Sequence, residues 1–310
     1  MKPDILAVDE LPSFLEDRLR AAFAFHDCTN DAAALAAIAS EVRGLVPLGT
    51  STVTGELIAR FPALEIISVF GVGYDGIDIQ AARKRGIVVT NTPDVLTDDV
   101  ADLCLGLILS VSREIPAAER FLRSGQWQHG AFHLARKVSG SRLGIIGLGR
   151  IGNAIARRAE GFGMAIAYTD LREKPNVPYR FYPTLVELAG NSDFLAVSAF
   201  GGPTTRNLVN AAVLKALGPE GFLINISRGS LVDEPALVEA LKSHKIRGAA
   251  IDVYANEPKV PAELVAMENV VLTPHMASGT VQTRHAMANL AFANLEAHFG
   301  GKPLLTPVSR

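Results

Sequence analysis

A chain of 310 residues, 48% hydrophobic and 20% charged, is long enough for two ordinary domains and has the composition of a globular α/β protein. Its formal net charge of −2 provides no basic excess to hold a phosphate backbone, which excludes nucleic acid as the main partner. The start, MKPDILAVDELPSFL, lacks the basic head and unbroken apolar core of a secretion signal, and the most apolar window, Leu103 to Val111, falls short of the ~20 residues that span a bilayer. The expectation is a cytoplasmic protein that does not enter a membrane. Cys28 and Cys104 sit among apolar or helical neighbours and read as reduced thiols, and no Cys/His spacing suggests a metal site.

From Ile5 to Thr92 short apolar runs alternate with helical patterns. The runs are ILAVD, GLVPLG, LEIISVFG and IVVTNT; helices are expected from about Ser13 to Phe23, from Asp31, around Glu56 to Arg60 and from Asp78 to Arg85. Alternation of this kind predicts a parallel sheet wrapped by helices, large enough to be a domain. The loop Phe70-Gly-Val-Gly-Tyr-Asp-Gly follows the third run. Its small residues expose main-chain N–H groups, and those of Val72 and Gly73 are candidates for a substrate carboxylate. From Thr97, an acid-rich start leads into one long helix or two abutting ones, with Thr97 as a candidate cap; residues 126–140 have no period and read as an extended arm or loop.

The stretch RLGIIGLGRIGNAIARRAEGFGMAIAYTD, residues 142–170, reads as strand, turn, helix, strand. Gly147 permits the tight turn, Gly149 lets the backbone approach a pyrophosphate, and Gly152 lets helix and strand pack closely. Helix N–H groups and the positive end of the helix dipole then face the phosphates. Asp170, eighteen positions past Gly152, is suited to the ribose hydroxyls. A dinucleotide site is therefore expected here. Four further runs, DFLAVSAF, FLINISRG, GAAIDVY and NVVLTPH, bring the strands of this second domain to six. A final Ala-rich helical segment from Ser278 leaves this domain late and is expected to return to the first. The predicted fold is α/β, two Rossmann-like or flavodoxin-like parallel-sheet domains with a cleft between them: residues 1–96 plus 281–310 for substrate, and 97–280 for the dinucleotide.

Open α/β sheets place their sites beyond the carboxyl ends of the strands, and three polar residues stand there: Arg228 after FLINIS, Glu257 after AAIDVYAN and His275 after VVLTP. A histidine near neutrality can give a proton to a carbonyl oxygen and take it back. A glutamate at its far ring nitrogen would fix its tautomer, and a guanidinium offers a planar fork for a carboxylate. Together they describe reduction of a 2-oxo acid.

On FGVGYDGID, GIIGLGRIG, VELAGNSDFLAV, LINISRGSLVDEPAL, AAIDVYANEP and TPHMASGT, the chain resembles the D-isomer-specific 2-hydroxyacid dehydrogenases over nearly its whole length. PNVPYRFYPTLVELA, LGPEGFLINISRG and NLEAHFGGKPLLTPV make it most similar to the glyoxylate/hydroxypyruvate reductase branch, plant hydroxyphenylpyruvate reductases included. The resemblance implies that Arg228, Glu257 and His275 are the catalytic set, with Val72 and Gly73 at the substrate carboxylate and Leu48 and Phe70 bearing on side-chain selectivity. It implies that Thr97, Gly149, Arg150, Ile151, Asp170, Ile226, Asp252 and Ser278, besides Arg228 and His275, line the cofactor. It also implies a homodimer in which the arm over residues 126–140 embraces the partner. The expected reaction is NAD(P)H-dependent reduction of glyoxylate or hydroxypyruvate to the D-2-hydroxy acid; the alternatives are arylpyruvate reduction and a dinucleotide-sensing protein like the family's corepressor branch. Two positions depart from the relatives. Where NADPH-preferring plant members carry Ser-Arg, this chain has Asp170-Leu171, which favours NADH, while Arg172 keeps NADPH possible. Ser198-Ala-Phe-Gly-Gly-Pro replaces a common Pro-Leu-Thr turn beside the adenosine pocket.

Overall fold

A computed structural model describes residues 2–27 and 31–308. The chain forms two compact units, Met1–Leu96 with Thr280–Arg310, and Thr97–Gly279. Cys28 lies outside the described residues. Cys104 is buried and unpaired, and burial pushes its thiol up to about 12, so it remains an inert thiol. Among the described residues no helix is long and apolar enough to cross a membrane.

The first unit runs β1 (Asp4–Ala7), α1 (Ser13–Ala22), β2 (Ala24–His26), α2 (Ala32–Ile38), β3 (Val42–Val46), α3 (Gly55–Ala59), β4 (Ile66–Ser68), α4 (Ile79–Lys84) and β5 (Val88–Thr90). Its five strands are all parallel in the order β2-β1-β3-β4-β5, the flavodoxin-like winding. The sequence predicted four. The fifth, β2, is three residues that follow α1 at once, too short for alternation to register. Helices start where a side chain can take the first free N–H groups: Asp31, Thr54 and Asp78 each accept from main-chain N–H groups two or three residues on.

The second unit contains α5 (Thr97–Ser112), α6 (Ile115–Arg123), β6 (Arg142–Ile146), α7 (Arg150–Glu160), β7 (Ala165–Thr169), β8 (Arg180–Phe181), α8 (Leu185–Gly190), β9 (Phe194–Val197), α9 (Ala211–Leu217), β10 (Phe222–Asn225), α10 (Glu234–Lys242), β11 (Gly248–Ile251), α11 (Ala262–Val265) and β12 (Val270–Leu272). Its sheet has seven parallel strands, β12-β11-β10-β9-β6-β7-β8, where six were expected. The addition is β8, a two-residue edge strand with no periodicity to read. Strands β9, β10 and β11 are buried at every position, which explains their unbroken apolar runs. The long helical segment is two helices. Glu114 takes a left-handed backbone between them, at φ 53°, and Pro116 sits in the first turn of α6.

The arm holds one short 3-10 turn at Gln126–Gln128 and is otherwise irregular. Its end is tied down at Arg136, whose N–H donates to the Ser112 carbonyl (3.1 Å) and whose guanidinium pairs with Asp193 and Glu220. The last helix, α12 (Val281–Phe299), belongs to the first unit. Ser68 Oγ donates to its Ala291 carbonyl at 2.9 Å, and Phe292 and Phe299 pack on Phe23.

Candidate active site

The turn between β6 and α7 has the form a dinucleotide requires, and each glycine has its own reason. Gly147 has φ 88°, and a Cβ there would lie 2.7 Å from the Ala199 Cα. At Gly152 a Cβ would lie 2.2 Å from the Gly147 carbonyl oxygen, so helix and turn could not close. At Gly149 a Cβ would meet nothing within 4 Å: the backbone faces open space. Helix α7 begins there with no side-chain cap, leaving its N-terminal N–H groups and dipole to an anion. The residues present fit a pyrophosphate.

Asp170, just past β7, accepts from the Leu148 N–H at 3.1 Å and the Leu171 N–H at 2.7 Å, and Lys174 Nζ stands 3.2 Å away. This carboxylate therefore braces the glycine turn. Arg172 is exposed, and Lys174 is a second cation beside Asp170. Ser198 Oγ donates to the Gly147 carbonyl at 2.7 Å, while Phe200 is 52% exposed beyond it.

Arg228, Glu257 and His275 follow β10, β11 and β12, three neighbouring strands, at their carboxyl ends. His275 Nδ1 lies 2.7 Å from Glu257 Oε2, and the other oxygen, Oε1, accepts from the Tyr254 N–H at 2.9 Å. Burial pushes the Glu257 carboxyl up. The His275 hydrogen bond, the Tyr254 N–H and the charges of His275 and Arg228 outweigh it and hold the carboxyl below the usual glutamate range. An ionised carboxylate only accepts, so Nδ1 carries the hydrogen between them. Arg228 is half-buried, its Nη1 donating to the Ser227 carbonyl at 2.9 Å, and its charge reaches Glu257.

His275 itself has φ 50°, an uncommon left-handed backbone for a side chain of this size. Asp252 holds the loop in that shape. Its carboxylate is fully buried and accepts from Thr273 Oγ1 (2.6 Å), the Met276 N–H (2.9 Å) and the Ala277 N–H (3.0 Å), and its carbonyl accepts from the His275 N–H (2.8 Å). The oxygens of Asp252 thus serve the loop that carries His275. Ile226 is buried after β10, Ser278 is half-buried past that loop, and Thr97 opens α5. Arg150 and Ile151 form the first turn of α7.

In the first unit, the Gly49 N–H donates to the Phe70 carbonyl at 3.1 Å, and a Cβ on Gly71 would lie 2.7 Å from Gly49 Cα. Asn91 Nδ2 donates to the Val72 carbonyl at 2.8 Å, which fixes the turn that carries Val72 and Gly73. Leu48 pairs with Phe70 as an isolated bridge. The Phe70 side chain is 2% exposed, so it is the main chain of this residue that is well placed to shape the loop.

Sequence reasoning did not reach Asn225, Gly229, Tyr254 or Thr273. Asn225 is buried, donates to the Arg228 carbonyl (2.9 Å) and accepts from the Ser227 N–H (3.1 Å), fixing the turn ahead of the guanidinium. A Cβ on Gly229 would lie 1.9 Å from the Tyr254 carbonyl carbon. The signals were there, an amide inside LINIS and a glycine straight after Arg228, but what Gly229 packs against, the Tyr254 peptide, lies on the next strand's turn and carries no local spacing.

A family profile described as "D-isomer specific 2-hydroxyacid dehydrogenase, NAD binding domain" matches residues 105–277. A hydroxyphenylpyruvate reductase from Plectranthus scutellarioides is 53% identical over 274 residues, covering 88% of each chain. A glyoxylate/hydroxypyruvate reductase A from Arabidopsis thaliana is 48% identical over 307 residues, covering 98% of each. Among solved structures, an NADPH-dependent glyoxylate/hydroxypyruvate reductase from Sinorhizobium meliloti in complex with NADP and malonate superposes with a TM-score of 0.95 at 46% identity, covering 100% of this chain and 97% of that one.

Proposed function

This chain belongs to the D-isomer-specific 2-hydroxyacid dehydrogenase family, and from that premise we propose that it is a cytoplasmic NAD(P)H-dependent reductase that converts glyoxylate to glycolate and hydroxypyruvate to D-glycerate. The observation that carries the reading is the 2.7 Å Glu257–His275 pair, with Arg228 on the neighbouring strand end. The glycine turn, the start of α7 and Asp170 would hold a reduced nicotinamide dinucleotide, which would supply hydride to the carbonyl carbon. The carbonyl π pair moves onto oxygen, and His275 delivers its proton there from Nε2. Glu257 stabilises the imidazolium that gives this proton, and Arg228 takes the substrate carboxylate in its fork. The N–H groups of Val72 and Gly73 are the further proposed partners of that carboxylate. The malonate bound by the Sinorhizobium relative supports a site for small carboxylates.

Hydroxyphenylpyruvate reduction is a second reading, favoured by the 53% identity to the Plectranthus enzyme. Rates with glyoxylate, hydroxypyruvate and hydroxyphenylpyruvate, each with NADH and NADPH, decide between them. The highest kcat/KM is expected with one of the two small acids. Turnover of none of the three would leave a dinucleotide-binding protein without this chemistry.

NADH stands ahead of NADPH in this proposal, because a carboxylate at Asp170 repels a 2′-phosphate. Arg172 and Lys174 beside it leave NADPH usable. Asp170→Ser should raise the NADPH-to-NADH ratio of kcat/KM by about tenfold or more, the effect of removing roughly 1.4 kcal/mol of like-charge repulsion. An unchanged ratio would remove Asp170 from cofactor selection.

A homodimer is proposed on the exposed apolar residues of α6 and the arm: Ile115, Leu122, Trp127 at 68% and Leu134 at 94%. Light scattering on the purified protein is expected to give twice the chain mass, and replacing Trp127 and Leu134 together with serine should shift it toward one. A wild-type monomer would end this part of the proposal.

A further inference from the structure

The geometry points to Tyr254 as a positioning residue that sets the Glu257–His275 pair and the Arg228 turn in register, an inference that rests on the reading above. Tyr254 lies in the turn after β11 and touches all three segments. Its N–H donates to Glu257 Oε1 at 2.9 Å. Its hydroxyl lies 2.9 Å from the Thr273 carbonyl and 3.1 Å from the Ile251 carbonyl, tying the end of β11 to the start of the loop that carries His275. Its carbonyl fills the space over Gly229, where even a methyl group would collide, so the turn after Arg228 rests on the Tyr254 peptide.

The hydroxyl is the part of this arrangement that the side chain alone supplies. The Thr273 carbonyl also accepts from the His275 N–H (3.1 Å), and the Ile251 carbonyl from the Thr273 N–H (2.9 Å). The phenol therefore does not rescue orphaned acceptors; it closes a ring of hydrogen bonds around the left-handed residue that presents the imidazole. Asp252 grips the same loop from its far side through Met276 and Ala277. Tyr254 is 7% exposed, and burial pushes its phenol up to about 12, so it stays a neutral donor at every pH at which the enzyme would work. Removing the hydroxyl leaves the Tyr254 N–H on Glu257 and the peptide over Gly229 in place. The loss should fall on the aim of His275.

The test is Tyr254→Phe in the full-length protein, with hydroxypyruvate and NADH. We expect kcat to fall by about tenfold, the effect of a small misplacement of a proton donor, while the Kd for NADH changes by less than about twofold. Hydrogen exchange without cofactor should quicken over residues 273–277 and stay unchanged over β6 and α7. Tyr254→4-aminophenylalanine, which keeps a donor on the ring, should restore kcat to within about threefold of wild type and also covers the case of a Phe variant that does not fold. Wild-type kcat and exchange in Y254F, failure of the amino variant to restore the rate, or loss of NADH binding in step with kcat would each overturn the assignment. If the wild-type protein reduces no 2-oxo acid, the functional reading fails by itself, and exchange over 273–277 still decides whether the hydroxyl holds the loop.

Discussion

His275→Ala is expected to lower kcat for 2-oxo acid reduction by about three orders of magnitude while NADH binds within about threefold of wild type, the magnitude of losing a positioned general acid. The separation follows from where the residue stands. The glycine turn, the uncapped start of α7 and Asp170 form one cluster around β6 and β7, whereas His275 follows β12 at the opposite edge of the seven-stranded sheet. Removing the imidazole leaves the pyrophosphate cradle untouched. What it removes, in the proposed reaction, is the proton that the developing alkoxide takes up. Glu257 cannot substitute: its hydrogen bonds and nearby positive charge hold its carboxyl below the usual glutamate range, so it has no proton to give. Fluorescence titration with NADH and steady-state rates on the same preparation check both halves. Full activity in the variant would take His275 out of the mechanism.

Arg228→Gln is expected to lower kcat/KM for the 2-oxo acid by about 10² to 10³, with the loss in substrate KM as well as kcat, because a charged fork to a carboxylate is worth roughly 3–4 kcal/mol when partly desolvated. Glutamine keeps an N–H donor and removes the charge. The turn that carries it should survive, since Asn225 holds the main-chain carbonyl of residue 228 and Gly229 packs on the Tyr254 peptide whatever side chain stands there. Lysine should recover only part of the loss, because an ammonium offers a point charge without the two parallel N–H bonds. A thermal melt close to wild type, together with the kinetic loss, marks the effect as one of substrate binding and turnover. Wild-type kcat/KM in the glutamine variant would mean that the carboxylate is held elsewhere.

The glycine turn was legible in the sequence because every step of it is local. A strand, three glycines at fixed offsets and a helix need no partner from elsewhere in the chain to be read, and Asp170 falls one strand later. Arg228, Glu257 and His275 were legible as candidates for a related reason: each follows an apolar run, and strand ends are where parallel sheets bind ligands. What no spacing could give was who touches whom. The 2.7 Å contact between Glu257 and His275, the full burial of Asp252 beneath the His275 loop, and Tyr254 joining three segments all depend on β10, β11 and β12 lying side by side. The two strands that escaped, β2 and β8, are sheet-edge pieces of three and two residues, shorter than the repeat that would reveal them. Lys174 beside Asp170 escaped because its approach depends on the course of the loop after β7.

The fate of a deuterium label tests the proposed reaction at its reacting atoms. With hydroxypyruvate and NADH carrying deuterium at both C4 positions, we expect the wild-type protein to form glycerate labelled at C2, in the D configuration alone, and His275→Ala to form almost none in the same time. L-glycerate, or consumption of NADH without label at C2, would contradict the assignment of Arg228, Glu257 and His275 to a D-specific reduction.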